Sequence, residues 1–289
     1  MAEIMKGAPV AEALTAATAE AAAALKVRGV TPTLAILRVG ERPEDLSYER
    51  GALKRCAAAG VEVRGVLLPP EVSQGDLMDT LQALNEDSSI HGILMMRPLP
   101  APLDNEAARR ALLPAKDVDG ITDGSLAGVF TGSGEGFAPC TAQAVVELLK
   151  FYDIPLRGAR AVVVGRSLVV GRPAAMLLMA EGATVTICHS GTRDLASMTR
   201  QGDIVVAAAG RMGYFGPEHF GPGAAVVDVG IHMDPALGKL RGDVRFDEAE
   251  RSVAAITPVP GGLGAVTTAV LVRHVVQAAE KAAGRANIS

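Results

Sequence analysis

Residues 162–182 read VVVGRSLVVGRPAAMLLMAEG, and this stretch decides the fold of the second half of the chain. Gly165 ends an apolar run typical of a strand, and Gly171 stands where a helix would begin. Pro173 suits the first helical turn, because its missing N–H has no partner there. Backbone N–H groups at such a helix start can bind a pyrophosphate. The spacing differs from G-x-G-x-x-G, so a tight turn without a ligand remains an alternative.

Short β-branched runs and segments of helical period alternate along the rest of the chain. The predicted strands are residues 31–40, 61–69, 92–98, 159–165, 183–189, 203–210 and 224–231. Predicted helices lie between most of them, at residues 45–59, 73–85 and 141–152, after a first helix that ends near Gly29. Near-continuous apolar strands separated by helices are typical of parallel sheets that are covered on both faces. We therefore predict an α/β protein, with a Rossmann-type arrangement of strand, glycine turn, helix and strand from residue 159 onward.

A domain boundary is predicted near Pro139, where the glycine-rich loop TGSGEG ends and Thr141 could cap the next helix. The first domain is expected to span residues 1–138 and to be completed by a C-terminal helix at 265–289. The second, dinucleotide-binding domain is expected to span 139–264.

Composition limits the class of protein. The 289 residues are 49% hydrophobic and 21% charged, which is ordinary for a soluble globular enzyme. The net charge of −4 includes no block of like charge, so we expect neither nucleic acid nor membrane as a partner. Glutamates in the Ala-rich N-terminal segment argue against a signal peptide or a membrane span. Three scattered cysteines predict a reduced cytoplasmic protein, and five dispersed histidines predict no metal site.

The residues after the second strand of the dinucleotide domain discriminate between cofactors. NAD sites commonly place an acid there, whereas a 2′-phosphate requires donors and positive charge. Residues 189–193 read HSGTR, no acid precedes Asp194, and Arg166 in the glycine turn could reach the same place. The sequence therefore favours NADP over NAD.

Six motifs together resemble the methylenetetrahydrofolate dehydrogenase/cyclohydrolase family: KDVDG (116–120), PCT (139–141), VVVGRSLVVGRP (162–173), VVDVGI (226–231), GDVRF (242–246) and ITPVPGGLGAVT (256–267). The resemblance implies a folate-binding N-terminal domain that faces an NADP-binding Rossmann domain across a cleft, in a homodimer. It also implies oxidation of 5,10-methylenetetrahydrofolate, followed by hydrolysis of the methenyl product to 10-formyltetrahydrofolate.

The resemblance assigns site residues position by position. Tyr48 matches a tyrosine of the folate site and Asp119 matches the aspartate that holds the pterin; both are expected to be catalytic and substrate-binding. The segment that closes over the substrate is matched by Pro258, Gly261 and Gly262. The positions that contact the cofactor are matched by Gly165, Arg166, Ser167, Ser190 and Ile231.

Three positions depart from the family pattern: Ala52 replaces a lysine, Met96 a glutamine and Ala265 a proline. Positions 48 and 52 share a helix face, whereas Lys54 lies about 240° around the helix from Tyr48. Hydride transfer depends mainly on positioning, but hydrolysis requires proton transfer, which an alanine cannot supply. We therefore predict an NADP-dependent dehydrogenase with weak or absent cyclohydrolase activity.

Alternatives to this prediction remain. A bifunctional enzyme could use Lys54, Arg97 or a cofactor-bound water in place of the missing pair. A non-catalytic folate- or nucleotide-binding regulator, and an unrelated Rossmann oxidoreductase of the shikimate dehydrogenase type, are further possibilities. Lys54 and Arg55 are interpreted as a solvated outer face, Arg97 as a surface charge, and Cys140 as a small buried residue with no base near it in sequence.

Overall fold

The structure is a computed structural model that describes residues 2–235 and 237–286. It divides into two compact units. The N-terminal unit comprises Glu12–Cys140 and Thr268–Ser289, and the C-terminal unit comprises Met1–Ala11 and Thr141–Thr267. The end of the predicted C-terminal helix, 287–289, lies outside the described residues.

The helices and strands follow one another in the order β1 (Glu3–Ile4), α1 (Gly7–Val27), β2 (Thr33–Val39), α2 (Pro43–Ala59), β3 (Glu62–Leu68), α3 (Gln74–Glu86), β4 (Gly92–Met95), α4 (Asn105–Ala111), α5 (Asp123–Thr131), α6 (Cys140–Phe151), β5 (Arg160–Val164), α7 (Gly171–Ala180), β6 (Thr184–Cys188), α8 (Leu195–Arg200), β7 (Ile204–Ala207), β8 (Ala225–Asp228), β9 (His232–Asp234), β10 (Lys239–Arg241), α9 (Phe246–Ala249), β11 (Ala255–Ile256) and α10 (Leu263–Ala286). Each predicted strand contains an observed one. No helix in the described part of the chain is long and apolar enough to cross a membrane.

The N-terminal unit contains a three-stranded parallel sheet in the order β3-β2-β4. The central strand β2 is almost wholly buried, in agreement with its mainly apolar sequence, which Thr33 and Arg38 interrupt. α2 begins with Pro43 at its first turn and ends at Gly60, whose φ of 70° suits glycine. An ion pair between Arg38 Nε of β2 and Glu49 Oε2 of α2, 2.8 Å apart, ties this helix to the sheet.

The C-terminal unit contains a six-stranded sheet in the order β1-β11-β8-β7-β5-β6, in which every pair of neighbours is parallel. The chain runs from β5 outward to β6 and then returns to β7 on the other side of β5, which creates a topological switch point at the carboxyl end of β5. The predicted α/β class is confirmed. The prediction missed the two-residue strands β1 and β11 and the antiparallel hairpin of β9 and β10.

Candidate active site

A pocket of about 330 Å³ lies at the carboxyl ends of β5, β6 and β7. Such switch points are where open α/β sheets bind ligands. Three loops, one after each strand, form its walls with the residues Val164, Gly165, Arg166, Ser167, His189, Ser190, Thr192, Leu195, Ala208, Ala209, Arg211 and Tyr214. The sequence-predicted residues Gly165, Arg166, Ser167 and Ser190 are thus brought together, whereas Ile231 follows β8, is 60% exposed and stands apart from this lining.

Two glycines shape the turn between β5 and α7. A Cβ at Gly165, whose φ is +150°, would stand 2.4 Å from the Ala208 carbonyl oxygen. A Cβ at Gly171 would stand 2.1 Å from the Gly165 carbonyl oxygen. Both distances are far below normal contact, so any larger residue would push the loops apart. Glycine at these positions lets the start of α7 approach the strand ends closely.

Ser167 stabilises the same turn. Its Oγ accepts hydrogen bonds from the N–H groups of Val170 at 3.1 Å and Gly171 at 3.4 Å. Two of the N–H groups at the start of α7 therefore have a side-chain partner.

The pocket is electropositive. Among the described residues its lining contains Arg166 and Arg211, together with the hydroxyl groups of Ser167, Ser190 and Thr192, and no carboxylate. Arg211 was missed by the sequence analysis. Arg211 directly follows the predicted strand 203–210, and this position at the end of an apolar run was the available signal.

The family motifs VVDVGI and GDVRF are hydrogen-bonded to each other and contain the buried acids Asp228 and Asp243. Asp228 accepts hydrogen bonds from the N–H groups of Gly230, Asp243 and Val244 at 2.9–3.0 Å. Burial raises the pKa of Asp228 to about 6, although these hydrogen bonds oppose the rise. Asp243 accepts in turn from the N–H groups of Gly210 and Arg211 and lies 2.7 Å from His232 Nε2. The carboxylates of these two motifs therefore stabilise the loops after β7 and β8 and are not free to bind a ligand.

The loop that carries Pro258, Gly261 and Gly262 is anchored within the C-terminal unit. Pro258 lines a second pocket, of about 610 Å³, beside β10 and the residues after β8. The carbonyl oxygen of Gly261 accepts a hydrogen bond from Gly7 N–H at 2.9 Å, and Gly261 has a φ of 101°. A Cβ at Gly7 would stand 1.9 Å from the Gly262 carbonyl oxygen, so the start of α1 fixes this loop closely.

A second group of predicted residues meets in the N-terminal unit. Tyr48 and Ala52 lie on one face of α2, and Ala52 is 0% exposed. Burial, and then the nearby Asp119 and Cys140, raise the pKa of Tyr48 well above its ordinary value. Tyr48, Asp119 and Cys140 therefore form one cluster, although they are far apart in sequence.

The KDVDG motif divides its two acids between different tasks. Asp117 is 0% exposed and accepts hydrogen bonds from Ile121 N–H, Thr122 N–H and Ser125 Oγ at 2.7–3.0 Å. Lys116 donates to the carbonyl oxygens of Leu84 and Asp87. Asp117, and not Asp119, stabilises the turn before α5. The Asp119 carboxylate is left to face the cluster.

The environment of Asp119 raises its pKa. Burial raises its pKa to about 7 and the neighbouring Asp117 adds to the rise, while the Arg97 guanidinium and the Cys140 thiol oppose it. The interpretation of Arg97 as a surface charge is therefore wrong, because Arg97 is half-buried and acts on Asp119.

The structure brings a histidine to Cys140, 134 residues away in sequence. His274 Nδ1 lies 3.7 Å from Cys140 Sγ and 2.9 Å from the Val118 carbonyl oxygen. The shorter contact requires a proton on Nδ1, so this nitrogen cannot accept one from the thiol. Burial raises the pKa of Cys140 well above its ordinary value. Cys140 is thus a buried neutral thiol and not an activated nucleophile.

The positions of the missing lysine and glutamine are held by the buried residues Ala52 of α2 and Met96 after β4. Met96 is 5% exposed, and Lys54 is exposed to solvent, as the sequence predicted. Arg55 departs from the predicted solvated face, because it is half-buried and its Nη1 donates to Thr15 Oγ1 of α1 at 3.0 Å.

Two family models match this chain. Residues 5–119 match the catalytic domain of tetrahydrofolate dehydrogenase/cyclohydrolase, and residues 139–283 match the NAD(P)-binding domain of the same family. Both matches agree with the resemblance carried by the motifs.

Relatives and solved structures give the same result. The chain is 50% identical to the bifunctional protein FolD of Carboxydothermus hydrogenoformans, over 97% of this chain and 98% of the relative. A crystal structure of the bifunctional FolD dehydrogenase/cyclohydrolase from Campylobacter jejuni superposes with a TM-score of 0.93 at 36% identity, over 97% of this chain and 99% of that one. The Trypanosoma brucei FolD, in complex with NADP cofactor and inhibitor, has a TM-score of 0.90 at 38% identity, with 98% of both chains covered.

Proposed function

This chain belongs to the tetrahydrofolate dehydrogenase/cyclohydrolase family, and from that premise we propose that it oxidises 5,10-methylenetetrahydrofolate to 5,10-methenyltetrahydrofolate with NADP, with weak or absent cyclohydrolase activity. The single observation that carries the second half of this proposal is the buried Ala52 beside Tyr48, at the position of the family lysine. Family membership excludes the unrelated shikimate-type oxidoreductase.

The division of labour follows the two units. We assign folate binding to the N-terminal unit, with Tyr48 and Asp119 as the residues that contact the substrate, and NADP binding to the C-terminal unit. Pro258, Gly261 and Gly262 are proposed to cover the substrate, and Gly165, Arg166, Ser167, Ser190 and Ile231 to contact the cofactor.

The pocket of the C-terminal unit fits a dinucleotide phosphate. Gly165 and Gly171 keep side chains out of the turn between β5 and α7, where Rossmann proteins bind phosphate groups, and an electropositive lining suits a 2′-phosphate. When bound, NADP supplies the hydride acceptor. The chain's own residues bind and orient, so the dehydrogenase step requires no protein base.

The same reasoning predicts slow hydrolysis. Water must be activated, and a ring nitrogen must be protonated as the adduct collapses, which is help worth about 10²- to 10⁴-fold in rate. Ala52 and Met96 offer no group for this transfer. Arg97 lies near Asp119, but a guanidinium remains protonated in proteins and cannot cycle a proton.

One observation favours a second candidate, the bifunctional enzyme. Asp119 has a pKa raised to about 7, which suits proton transfer at neutral pH. The relatives named above are called bifunctional. In this alternative Asp119 would take over the proton transfer that the family lysine performs.

Separate measurement of the two products tests the proposal. Methylenetetrahydrofolate and NADP are supplied, and absorbance follows NADPH and methenyltetrahydrofolate individually. We expect the two to rise together, with methenyltetrahydrofolate decaying no faster than in buffer alone. NADPH formation accompanied by rapid loss of the methenyl compound would establish the bifunctional alternative. Binding of both ligands without NADPH would identify a non-catalytic regulator.

We also propose that the protein is a homodimer, as the family resemblance implies. The segment around β9 and β10 exposes Ile231, Met233 and Leu237 to solvent by 60–62%, and exposed apolar groups of this kind are typical of association surfaces. Light scattering during size-exclusion chromatography tests this assignment, and a monomeric mass at micromolar concentration would exclude it.

A further inference from the structure

We propose that Arg211 is a second ligand of the cofactor's 2′-phosphate, acting with Arg166 from a different wall of the pocket. This inference rests on the proposed function, because it requires that the cofactor be NADP. Neither the sequence motifs nor the family pattern used above assigns a role to Arg211.

The backbone around Arg211 is held rigidly. The N–H groups of Gly210 and Arg211 donate to the Asp243 carboxylate at 2.8 and 2.9 Å. Asp243 is 0% exposed, and its own backbone N–H donates to Asp228 Oδ1 at 3.0 Å, so it is tied to the end of β8. The loop after β7 therefore presents residue 211 to the pocket from a fixed point.

The side chain of Arg211 is also oriented. Its guanidinium carbon lies 4.2 Å from the centroid of the Tyr214 ring, a cation–π contact that leaves the edge N–H groups free to donate. Tyr214 lines the same pocket. An arginine stacked in this way loses little additional freedom when it binds an anion, which favours tight binding.

Charge indicates what Arg211 binds. Within residues 2–235 and 237–286, no ion pair links Arg211 or Arg166 to a carboxylate. The neighbouring Arg245 provides a contrast, because its guanidinium pairs with Glu218 at 2.9 Å and Glu248 at 3.0 Å. The charge of Arg245 is neutralised by two glutamates, which indicates a structural role. The charge of Arg211, at the wall of the pocket, has no such carboxylate partner among the described residues.

The position of Arg211 favours the 2′-phosphate over the other anionic group of the cofactor. The pyrophosphate site is assigned to the start of α7, whereas Arg211 shares its pocket with Ser190 and Thr192, the hydroxyl-bearing residues after β6. The loop after this strand is where Rossmann proteins recognise the 2′-position of the ribose. A dianionic phosphate is bound best by more than one charged donor, and two arginines supply it.

Calorimetric titration with 2′,5′-ADP and with 5′-AMP isolates the 2′-phosphate without any turnover. We expect Arg211→Met to weaken 2′,5′-ADP binding by roughly 10- to 150-fold, the range for a hydrogen bond to a charged group, with 5′-AMP binding within about twofold of the unmodified protein. Arg211→Lys should recover part of the loss, because it keeps the charge but not the fork geometry. Arg166→Met should show the same selectivity. Arg251→Met, which removes an exposed charge of the C-terminal unit outside the pocket lining, serves as the matched control and should change neither affinity.

The outcomes separate this inference from the proposed cofactor. If Arg211→Met weakens both ligands equally, Arg211 stacks on the adenine and the inference is wrong. If the unmodified protein prefers 2′,5′-ADP and Arg211→Met leaves that preference intact, only the role of Arg211 is overturned. If the unmodified protein binds the two ligands equally well, the NADP proposal itself fails. Thermal melting of each variant verifies that the fold is retained.

Discussion

The nucleotide pocket of the C-terminal unit and the cluster around Tyr48 in the N-terminal unit are built in different ways. The pocket depends on backbone, since Gly165 and Gly171 allow loops to approach within distances that no side chain tolerates. The cluster depends on side-chain chemistry, in which Tyr48 and Asp119 are present but Ala52 offers only a methyl group. A backbone site persists as long as the turn folds, whereas a side-chain site can lose one reaction through a single substitution and keep another.

Two acids with raised pKa values show the same contrast. Asp228 and Asp119 both have raised pKa values, of about 6 and about 7. Asp228 accepts hydrogen bonds from three backbone N–H groups and therefore stabilises the fold. The electrostatic neighbours of Asp119 are the side chains of Tyr48, Arg97 and Cys140. We therefore expect its carboxylate to be available to a ligand. A raised pKa alone does not distinguish the two roles, but the identity of the hydrogen-bond donors does.

The largest effect is expected from restoring the missing pair. Ala52→Lys with Met96→Gln should raise methenyltetrahydrofolate hydrolysis by about 10²- to 10⁴-fold, the value of general acid–base help. The double variant should exceed the product of the single effects, because the two side chains act as a unit. Ala52→Met with Met96→Gln is the matched control for filling the space. Absence of any gain in a folded double variant would show that Ala52 is not the cause of slow hydrolysis.

Removal of the Asp119 charge should have the next largest effect. Asp119→Asn should lower kcat/KM of the dehydrogenase by roughly 10- to 150-fold, because it removes a charged hydrogen-bond acceptor from the substrate. Initial rates of NADPH formation measure this loss. Asp117→Asn should instead lower the melting temperature, since Asp117 accepts from two backbone N–H groups and Ser125. A reversed pattern, with Asp119→Asn unfolding the protein, would contradict the division of roles in the KDVDG motif.

The pH dependence sharpens the assignment of Asp119. With a pKa near 7, the carboxylate is protonated as pH falls, so kcat/KM should drop about tenfold per pH unit below pH 6 if the charged form binds substrate. The stability of the fold should change in the opposite sense. The pKa of Asp119 in the folded protein is higher than its value of about 3.9 in the unfolded chain, so the fold is most stable at low pH. This part of the stability is lost as pH rises toward 7. Asp119→Asn should therefore melt higher than the unmodified protein above pH 7, and the difference should vanish near pH 4. A flat difference would show that Asp119 does not titrate in this range.

Asp228→Asn tests whether the fold depends on the hydrogen bonds that Asp228 accepts from backbone N–H groups. The amide keeps one acceptor oxygen, but its NH₂ group faces a backbone N–H, an unsatisfied pair that costs about 1–3 kcal/mol. The melting temperature should fall by roughly 2–12 °C. Asp247→Asn, an exposed acid in the same segment, should change it little. An unchanged melting temperature in Asp228→Asn would mean that these loops do not depend on the carboxylate.

The smallest effect is expected at Lys54. This residue is exposed, so Lys54→Ala should alter stability by no more than about 0.5 kcal/mol and leave both reactions at their original rates. Coupled assays of NADPH formation and methenyl hydrolysis measure both. A loss of hydrolysis in this variant alone would identify Lys54 as a substitute catalyst.

Local pattern was sufficient for much of this molecule. The run from Val162 to Gly182 predicted a strand, a glycine turn and a helix, because those signals depend on neighbouring residues and on the steric needs of one tight turn. The same holds for β5, β7 and β8, whose apolar runs identify buried parallel sheet. The strands β1 and β11, of two residues each, carry no period and were missed for that reason.

Only the tertiary structure decided which side chains share a site. Asp117 and Asp119 are two residues apart in one motif. Asp117 stabilises the turn before α5, whereas Asp119 acts on Tyr48. His274 reaches Cys140 across 134 residues, Arg97 reaches Asp119, and Arg211 enters a pocket with Arg166. The direction of a polar side chain depends on which loops and helices pack against it, and those contacts join distant segments that no local spacing encodes. Local sequence therefore predicted the longer strands and the family, while packing determined the chemistry available to each charged group.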